Sequence, residues 1–209
     1  MLGLTRLVDA GTTTVPDDGR SNAEMLPVDA KLCFVDTFPG PDVDIAVWDE
    51  QLHPGIVVSA NANLVFRFLT SVQPGTAGIR TKGTFDLQNK AVVARLVNRP
   101  LSTNETALIV TNADTPLYTM RMTGGDEIIH LLVGANEIDV AQPADFWRIR
   151  FDGNDVLFGT SQNGITYAES SAGAQMPPTG TKIQITATSV ATVSAVVDVT
   201  WDFVSVSCP

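Results

Sequence analysis

The sequence has few of the residues that usually perform chemistry in enzymes and metal proteins. Its 209 residues include two histidines, His53 and His130. His53 lies in a Leu-His-Pro-Gly turn and His130 inside an apolar segment, so no Ser-His-Asp set is credible. We expect His130 to be a strand residue that is packed or hydrogen-bonded, because nothing in the sequence indicates the partners that a metal-bound histidine would need.

Cysteine is equally scarce, since Cys33 and Cys208 are the two in the chain. Two thiols do not make a metal site by themselves, and there is no Cys-x-x-Cys pair. Disulfides are rare in proteins that are not exported, so we expect two unpaired thiols. The alternative is a bridge between the first and last strands, which requires Cα atoms within about 7 Å of each other.

Long apolar runs and positive charge are also lacking. No stretch approaches 18 consecutive apolar residues, so no membrane span is expected. The N-terminus has no apolar core and carries early acids, unlike a secretory signal. With 23 acidic and 13 basic residues the net charge is −10, which repels phosphate backbones and makes nucleic acid an unsuitable partner.

The chain does have many short segments in which apolar and polar residues alternate. In 146–152, Trp147 and Ile149 alternate with Arg148 and Arg150, as in a strand with one face in water. The predicted strands are 31–38, 55–59, 63–69, 77–87, 91–98, 106–112, 117–123, 127–134, 146–152, 155–161, 164–170, 182–189 and 196–207. About a dozen such strands predict an all-β fold, a two-sheet antiparallel sandwich of the jelly-roll type.

Turn residues and the N-terminal composition set the domain organisation. Asp152-Gly153 and Asn163-Gly164 each separate two predicted strands and favour tight hairpin turns. Residues 1–30 contain threonine, glycine, proline and aspartate without a sustained period. We therefore predict an extended arm over 1–30, ordered against a partner, and a single sandwich domain over 31–209.

Five segments resemble the concanavalin A-like lectin/glucanase (laminin-G-like) domains. They are Asp-Thr-Phe-Pro-Gly to Val-Trp-Asp-Glu in 36–50, the hairpin 59–68, the strand pair 77–96, the segment 146–167 and the closing strand 197–207. The segment 146–167 is similar to the family pattern W-R-I…G…F-x-x-S-x-D-G-x-x-W, with Asn163 and Tyr167 in place of its Asp and Trp. The resemblance implies the concanavalin A-like sandwich, a fold that lectins, glycosidases and virion proteins share.

Glycosidases of this fold carry Glu-x-Asp-x-Glu on one strand, where alternate residues face one cleft. The nearest match is at Glu137 and Asp139, which we expect to share a face. The third position is Ala141 and the next residue is Gln142, so one carboxylate of the required pair is missing. The resemblance therefore favours a protein without catalytic residues.

Binding sites are predicted on charged residues. The candidate ligand-binding residues lie in predicted strands and are Arg95, Arg121, His130, Arg148 and Arg150. Arginines on a sheet face could meet an acidic glycan or a neighbouring subunit; the alternative is cross-strand pairing with acids such as Asp152 and Glu127. Family members often bind calcium, and the acidic loop with Asp36, Asp42 and Asp44 is the candidate calcium site. No other cofactor is expected.

Three functions are compatible with these features. We expect a non-catalytic structural or binding protein of a virus particle, such as a bacteriophage tail, baseplate or capsid-surface decoration protein, with a role in binding host glycan. It would be a homo-oligomer, contact other virion proteins and reside in the virion. The alternative is a stand-alone carbohydrate-binding, lectin-like module. A glycosidase is disfavoured, since the Glu-x-Asp-x-Glu set is incomplete.

Overall fold

The computed structural model describes residues 32–101, 104–125, 128–175 and 179–208. These residues form fifteen strands and no helix. The strands are β1 Leu32–Asp36, β2 Trp48–Gln51, β3 Ile56–Ala60, β4 Leu64–Phe68, β5 Gly75–Thr81, β6 Ala91–Asn98, β7 Asn104–Asn112, β8 Thr115–Thr123, β9 Ile129–Val133, β10 Asn136–Ala141, β11 Phe146–Asp152, β12 Asp155–Ser161, β13 Ala168–Ala174, β14 Thr181–Ser189 and β15 Val197–Ser207. Nothing in this part of the chain is a helix long and apolar enough to cross a membrane.

The strands form two antiparallel sheets packed face to face. The eight-stranded sheet has the order β13-β12-β11-β6-β15-β4-β3, and β1 pairs with the end of β15 beside β4. The seven-stranded sheet has the order β10-β9-β8-β7-β14-β5-β2. The predicted all-β, two-sheet antiparallel sandwich of the jelly-roll type is confirmed. The predicted arm, residues 1–30, lies outside the described residues.

Apolar side chains at alternate positions along the strands form the core between the two sheets. All three tryptophans are almost completely buried in it, as their positions in the alternating pattern predict. Trp147 and Trp201 meet edge to face at a ring-centroid distance of 5.0 Å, and Trp48 packs edge to face on Phe34. The residues between these inward positions therefore line the two outer faces of the sandwich.

Strand bounds follow the sequence pattern where turns are short and depart from it where side chains cap the backbone. β11 and β12 have the predicted bounds, with Gly153 at φ 60° in the turn between them. The strand predicted at 164–170 instead begins at Ala168. Asn163 Oδ1 accepts hydrogen bonds from the backbone N–H groups of Ile165 and Thr166, which holds this segment in a loop.

The two cysteines form a disulfide, so the expectation of unpaired thiols is wrong. Cys33 lies in β1 and Cys208 directly follows β15, and these strands pair antiparallel with Leu32 opposite Ser207. The register brings the two Cα atoms to 5.0 Å, within bridging distance. The bond joins residues 175 apart in sequence and therefore fastens the first strand to the last.

Candidate functional site

The five candidate ligand-binding residues lie on two different surfaces. Arg95, Arg148 and Arg150 project from β6 and β11 on the outer side of the eight-stranded sheet. Arg121 and His130 are directly opposite each other on β8 and β9, on the outer side of the seven-stranded sheet. The sequence placed all five in strands correctly but could not show which strands share a sheet.

On the eight-stranded sheet, acids hold the arginines of β11. Glu169 accepts hydrogen bonds from Arg148 at 2.7 Å and from Arg150 at 3.0 and 3.2 Å, and Arg150 also bonds Asp152 at 2.6 Å. The hydrogen bond from Arg150, with the charges of both arginines, lowers the pKa of Glu169 despite its partial burial. This cross-strand pairing binds both guanidinium groups to acids, although the buried Nε of Arg148 has no acceptor.

The third candidate arginine on that side, Arg95, is also held by an acid. Arg95 bonds the buried Asp202 at 3.0 Å and lies 5.3 Å above the ring of Phe146. Arg148 stacks on the ring of Tyr167 at 3.7 Å. Such cation–π contacts stabilise the side chains in place. These arginines and their acid partners on the outer side of the eight-stranded sheet therefore form a structural network, which we call the charge ladder.

The outer side of the seven-stranded sheet is different, and we call it the seven-strand face. Its outward residues in the inner strands are Thr76, Gly78, Arg80, Glu105, Ala107, Ile109, Thr111, Thr119, Arg121, Thr123, His130, Leu132, Lys182, Gln184, Thr186 and Thr188. Six of these sixteen residues are threonines, so threonine is the most frequent residue on this surface. Hydroxyls both donate and accept hydrogen bonds, as a polyhydroxylated ligand requires.

The middle of the seven-strand face carries small side chains and therefore lies below the surrounding surface. One cross-strand row runs from Arg121 through Ala107 and Thr186 to Gly78. Ala107 and Thr186 are each 6% exposed although they face away from the core. A Cβ atom on Gly78 would lie 2.9 Å from the carbonyl oxygen of Ile185, so the backbone leaves no room for a side chain there. The row forms a floor of small residues bordered by longer polar ones.

Arg121 stands at one end of this floor. Its neighbours along β8, Met120 and Met122, are fully buried in the core, so its own side chain points outward. The side chain makes no hydrogen bond or ion pair with any described residue, and its buried Nε has no partner. Arg80, on β5 of the same face, is instead bound by Asp114 and by the backbone oxygen of Ala113.

His130, next to Arg121, is hydrogen-bonded as the sequence predicts, and its partner comes from the near-miss catalytic motif. Its Nδ1 is 2.6 Å from Glu137 Oε2 on β10. The expectation that Glu137 and Asp139 share a face is wrong. The register shifts between them, so Glu137 pairs with Leu132 whereas Asp139 pairs with the buried Leu131. This irregularity turns the two carboxylates toward different partners.

Asp139 points toward the other sheet. Its Oδ2 accepts a hydrogen bond from Ser170 on β13 at 2.7 Å, and its Oδ1 accepts one from the backbone N–H of Val140. These two bonds, first that of Ser170, lower the pKa of Asp139. Asp139 therefore connects the edge strands β10 and β13, and it is not paired with Glu137 as a catalytic carboxylate would be.

The candidate calcium ligands are not assembled into a metal site. Asp36 is buried, and its oxygens accept hydrogen bonds from the backbone N–H of Phe38 at 2.7 Å and from Trp48 Nε1 at 2.6 Å. Asp42 is exposed, and Asp44 caps the backbone N–H of Ala46. Among the described residues, no three His, Cys, Asp or Glu side chains are grouped so that they could hold a metal ion.

Comparison with known proteins gives matches in structure alone. No family model matches the chain, and no curated protein matches it. Among solved structures, the catalytic domain of an endo-1,3-β-glucanase (laminarinase) from Thermotoga petrophila is similar, with a TM-score of 0.64, 11% identity and coverage of 86% of this chain and 98% of that one. A non-specific endo-β-1,3(4)-glucanase from family GH16 is similar too, with a TM-score of 0.62, 14% identity and coverage of 88% and 92%.

A third similar structure is described as an immunostimulatory antigen and pseudo-β-1,3-glucanase of Mycobacterium tuberculosis, with a TM-score of 0.60, 16% identity and coverage of 85% of this chain and 99% of that one. These neighbours are glucanases or their relatives, and they contradict the prediction of a structural protein of a virus particle. At these identities the likeness shows the fold alone. The chain thus has the concanavalin A-like jelly-roll fold of the GH16 glucanases.

Proposed function

We propose that this protein binds a glycan on the seven-strand face and does not hydrolyse it. The observation that carries the proposal is the row of small residues at Gly78, Ala107 and Thr186, bordered by threonine hydroxyls and Arg121. A floor of small residues with hydroxyl and charged groups around it can accept one face of a sugar ring and hydrogen-bond its substituents. The glucanase-like fold adds support, since its similar structures include enzymes named for β-glucans.

Catalysis is disfavoured by where the carboxylates lie. Retaining glycosidases place two carboxyl groups about 5 Å apart on either side of the scissile bond. The acids that the described strands carry on the seven-strand face are Asp49, Glu105 and Glu137. Glu105 on β7 is three strands away from both Asp49 on β2 and Glu137 on β10. At about 4.8 Å per strand, these carboxylates are roughly 14 Å apart at the backbone.

The acids are also occupied by other groups. Glu105 accepts a hydrogen bond from Thr123, and Glu137 is bound to His130. Asp49 lies within 4.0 Å of both Lys82 and Lys182. None of the three is positioned with a second carboxylate of the described residues, which supports binding of a sugar without cleavage.

A binding experiment with one blocking variant tests the proposal. The purified chain is titrated by calorimetry with laminarin-derived and mixed-linkage β-glucan oligosaccharides and screened on a glycan array. In Ala107→Phe a ring replaces the methyl group on the floor, and we expect at least tenfold weaker binding. Val97→Phe is the matched control, because Val97 is exposed on the outer side of the other sheet.

Three results would contradict the proposal. They are the absence of binding to every glycan in the panel, unchanged affinity in Ala107→Phe, and release of reducing ends from any oligosaccharide. Release of reducing ends would show that the protein is a hydrolase and would overturn the proposal that it does not cleave the glycan. Thermal denaturation of both variants establishes that lost binding does not arise from unfolding.

A further inference from the structure

We infer that Arg121 recognises an acidic group on the bound glycan, either the carboxylate of a uronic acid or a sulfate ester. The inference rests on the proposed function, because it requires that the glycan lie on the seven-strand face. It goes further by naming the class of sugar and the residue that selects it. Carboxylate and sulfate share the same chemistry here: each is an oxyanion with two oxygens available to one guanidinium group.

The first observation is that, of the described arginines, only Arg121 has no ion pair with an acid of the described residues. The other six each form an ion pair with aspartate or glutamate; they are Arg67, Arg80, Arg95, Arg99, Arg148 and Arg150. The chain has 23 acidic and 13 basic residues, so acids are abundant. An arginine that has no acid partner in the described part of such a protein is a position where an external anion is favoured.

The second observation is the burial of the unpaired group. Arg121 is half-buried, and its Nε–H is removed from solvent without an acceptor. A buried donor that lacks an acceptor costs free energy. A ligand oxyanion that accepts from Nε and from one terminal nitrogen removes this cost and forms the bidentate arrangement that guanidinium favours.

The third observation is the surroundings of Arg121. Its cross-strand neighbours in the row are Ala107 and His130, and Thr119 and Thr123 lie two positions away on the same strand. Ala107 leaves space beside the guanidinium, and the threonines offer hydroxyls to the rest of a sugar ring. The nearby Glu105 accepts a hydrogen bond from Thr123 and forms no ion pair with Arg121.

Arg80 and Lys182 on this face are paired with acids, so Arg121 is left as one cation between hydroxyls. This arrangement suits one charged sugar within a mainly uncharged chain. It does not suit a polyanion such as nucleic acid, which needs many basic contacts and is repelled by a net charge of −10. The structure therefore favours an acidic glycan over a nucleic acid.

The test compares charged and uncharged forms of the same glycan on the full chain. Calorimetry uses oligogalacturonate, its carboxyl-reduced counterpart, a sulfated galactan oligosaccharide and its desulfated counterpart. The wild-type protein is compared with Arg121→Gln and Arg121→Lys. Arg67→Gln is the matched control, because it removes the same charge from a pair with Asp198 on the other sheet.

We expect the wild type to bind at least one charged oligosaccharide about tenfold or more tightly than its uncharged counterpart, as a charge-assisted bidentate contact provides. Arg121→Gln removes this preference, because it weakens binding of the charged oligosaccharide more than binding of its uncharged counterpart. Arg121→Lys retains part of it, since lysine keeps the charge but loses the planar pair of donors. Arg67→Gln keeps the full preference. The anion is identified by the pair of oligosaccharides, uronate or sulfate, in which the charged form binds more tightly.

A preference that survives in Arg121→Gln, or equal binding of charged and uncharged forms by the wild type, would overturn this inference while the proposed function stands. Failure to bind any oligosaccharide would overturn both. A direct measurement does not depend on the variants: the arginine Nε–H resonance of Arg121 in the wild-type NMR spectrum shifts when the charged oligosaccharide is added. An unmoved resonance at saturation would also overturn the inference.

Discussion

Trp201 and Thr106 are joined across the interior of the sandwich. The indole Nε1–H of Trp201, in β15 of the eight-stranded sheet, donates to Thr106 Oγ1 in β7 of the seven-stranded sheet at 3.0 Å. The same hydroxyl donates to the carbonyl oxygen of Thr186 at 2.7 Å. Trp201 and Thr106 are almost completely buried, so this chain of hydrogen bonds is a polar connection within a mainly apolar layer.

Thr106→Val is expected to destabilise the fold by about 1–3 kcal/mol, because it leaves the indole N–H of Trp201 buried without an acceptor while it preserves side-chain shape. Urea denaturation monitored by tryptophan fluorescence measures the free energy of unfolding. Thr106→Ser keeps the hydroxyl and serves as the control; it should lose less. If Thr106→Val were as stable as the wild type, the cross-sheet bond would not contribute to stability.

The Cys33–Cys208 bond gives the second prediction. It closes a loop across 175 residues, and in the chain-entropy account a long loop gives a larger effect. Replacing both cysteines by serine should lower the free energy of unfolding by about 2–4 kcal/mol. Thermal denaturation with and without reductant measures this. The reductant should lower the melting temperature of the wild type and leave the double variant unchanged; equal melting temperatures would contradict the prediction.

Period-two alternation was sufficient to predict most of the fold. Strands such as β6, β11 and β12 have the predicted bounds, because each has one side in the core and tight turns at its ends. The strand in 164–170 was predicted a few residues early, since Asn163 accepts local hydrogen bonds from the backbone N–H groups of Ile165 and Thr166, and the apolar pattern does not show such bonds. The disulfide was not expected, because it depends on the pairing of β1 with β15, two strands at opposite ends of the sequence.

The candidate site was harder to predict, because its residues become neighbours through sheet order. Sequence analysis selected Arg121 and His130, yet it grouped them with Arg148 and Arg150, which lie on the other sheet. The floor residues Gly78, Ala107 and Thr186 were missed. Their signal in the sequence was the alternation of threonine with apolar residues in 181–189, which indicates a polar outer face without revealing which strands adjoin it.

Asp36 gives the third prediction. Both of its oxygens accept buried hydrogen bonds, and one bond holds the backbone of Phe38 at a φ of 51°. Asp36→Asn replaces one of the two acceptor oxygens by an amide NH2 group, so one buried donor loses its acceptor, and the fold should be destabilised by about 1–3 kcal/mol. Asp42→Asn is the control, since Asp42 is exposed, and should have little effect. Chemical denaturation with calcium and with a chelator checks this; destabilisation seen with calcium alone would instead indicate a metal ligand.

Glu169 makes stability depend on pH. Its pKa lies below the usual value of 4.5, first because of the hydrogen bond from Arg150 and also because of the charge of Arg148. The unfolded chain therefore takes up the proton at a higher pH than the folded protein does. The stabilisation from the Glu169 carboxylate is complete above the pKa of the unfolded state and declines as the pH falls through the pKa of the folded state. Since these groups are partly exposed, we expect a contribution of roughly 1 kcal/mol.

Glu169→Gln should remove this contribution, because glutamine keeps the shape but not the charge. Urea denaturation of both proteins between pH 7 and pH 3 measures the difference in the free energy of unfolding. That difference should be constant at neutral pH and shrink below about pH 4.5, where the wild-type carboxylate becomes protonated. Asp198, whose pKa is lowered by Arg67, titrates in the same direction in both proteins and cancels in the comparison. A difference that persists unchanged to pH 3 would mean that the charge of Glu169 does not stabilise the ladder.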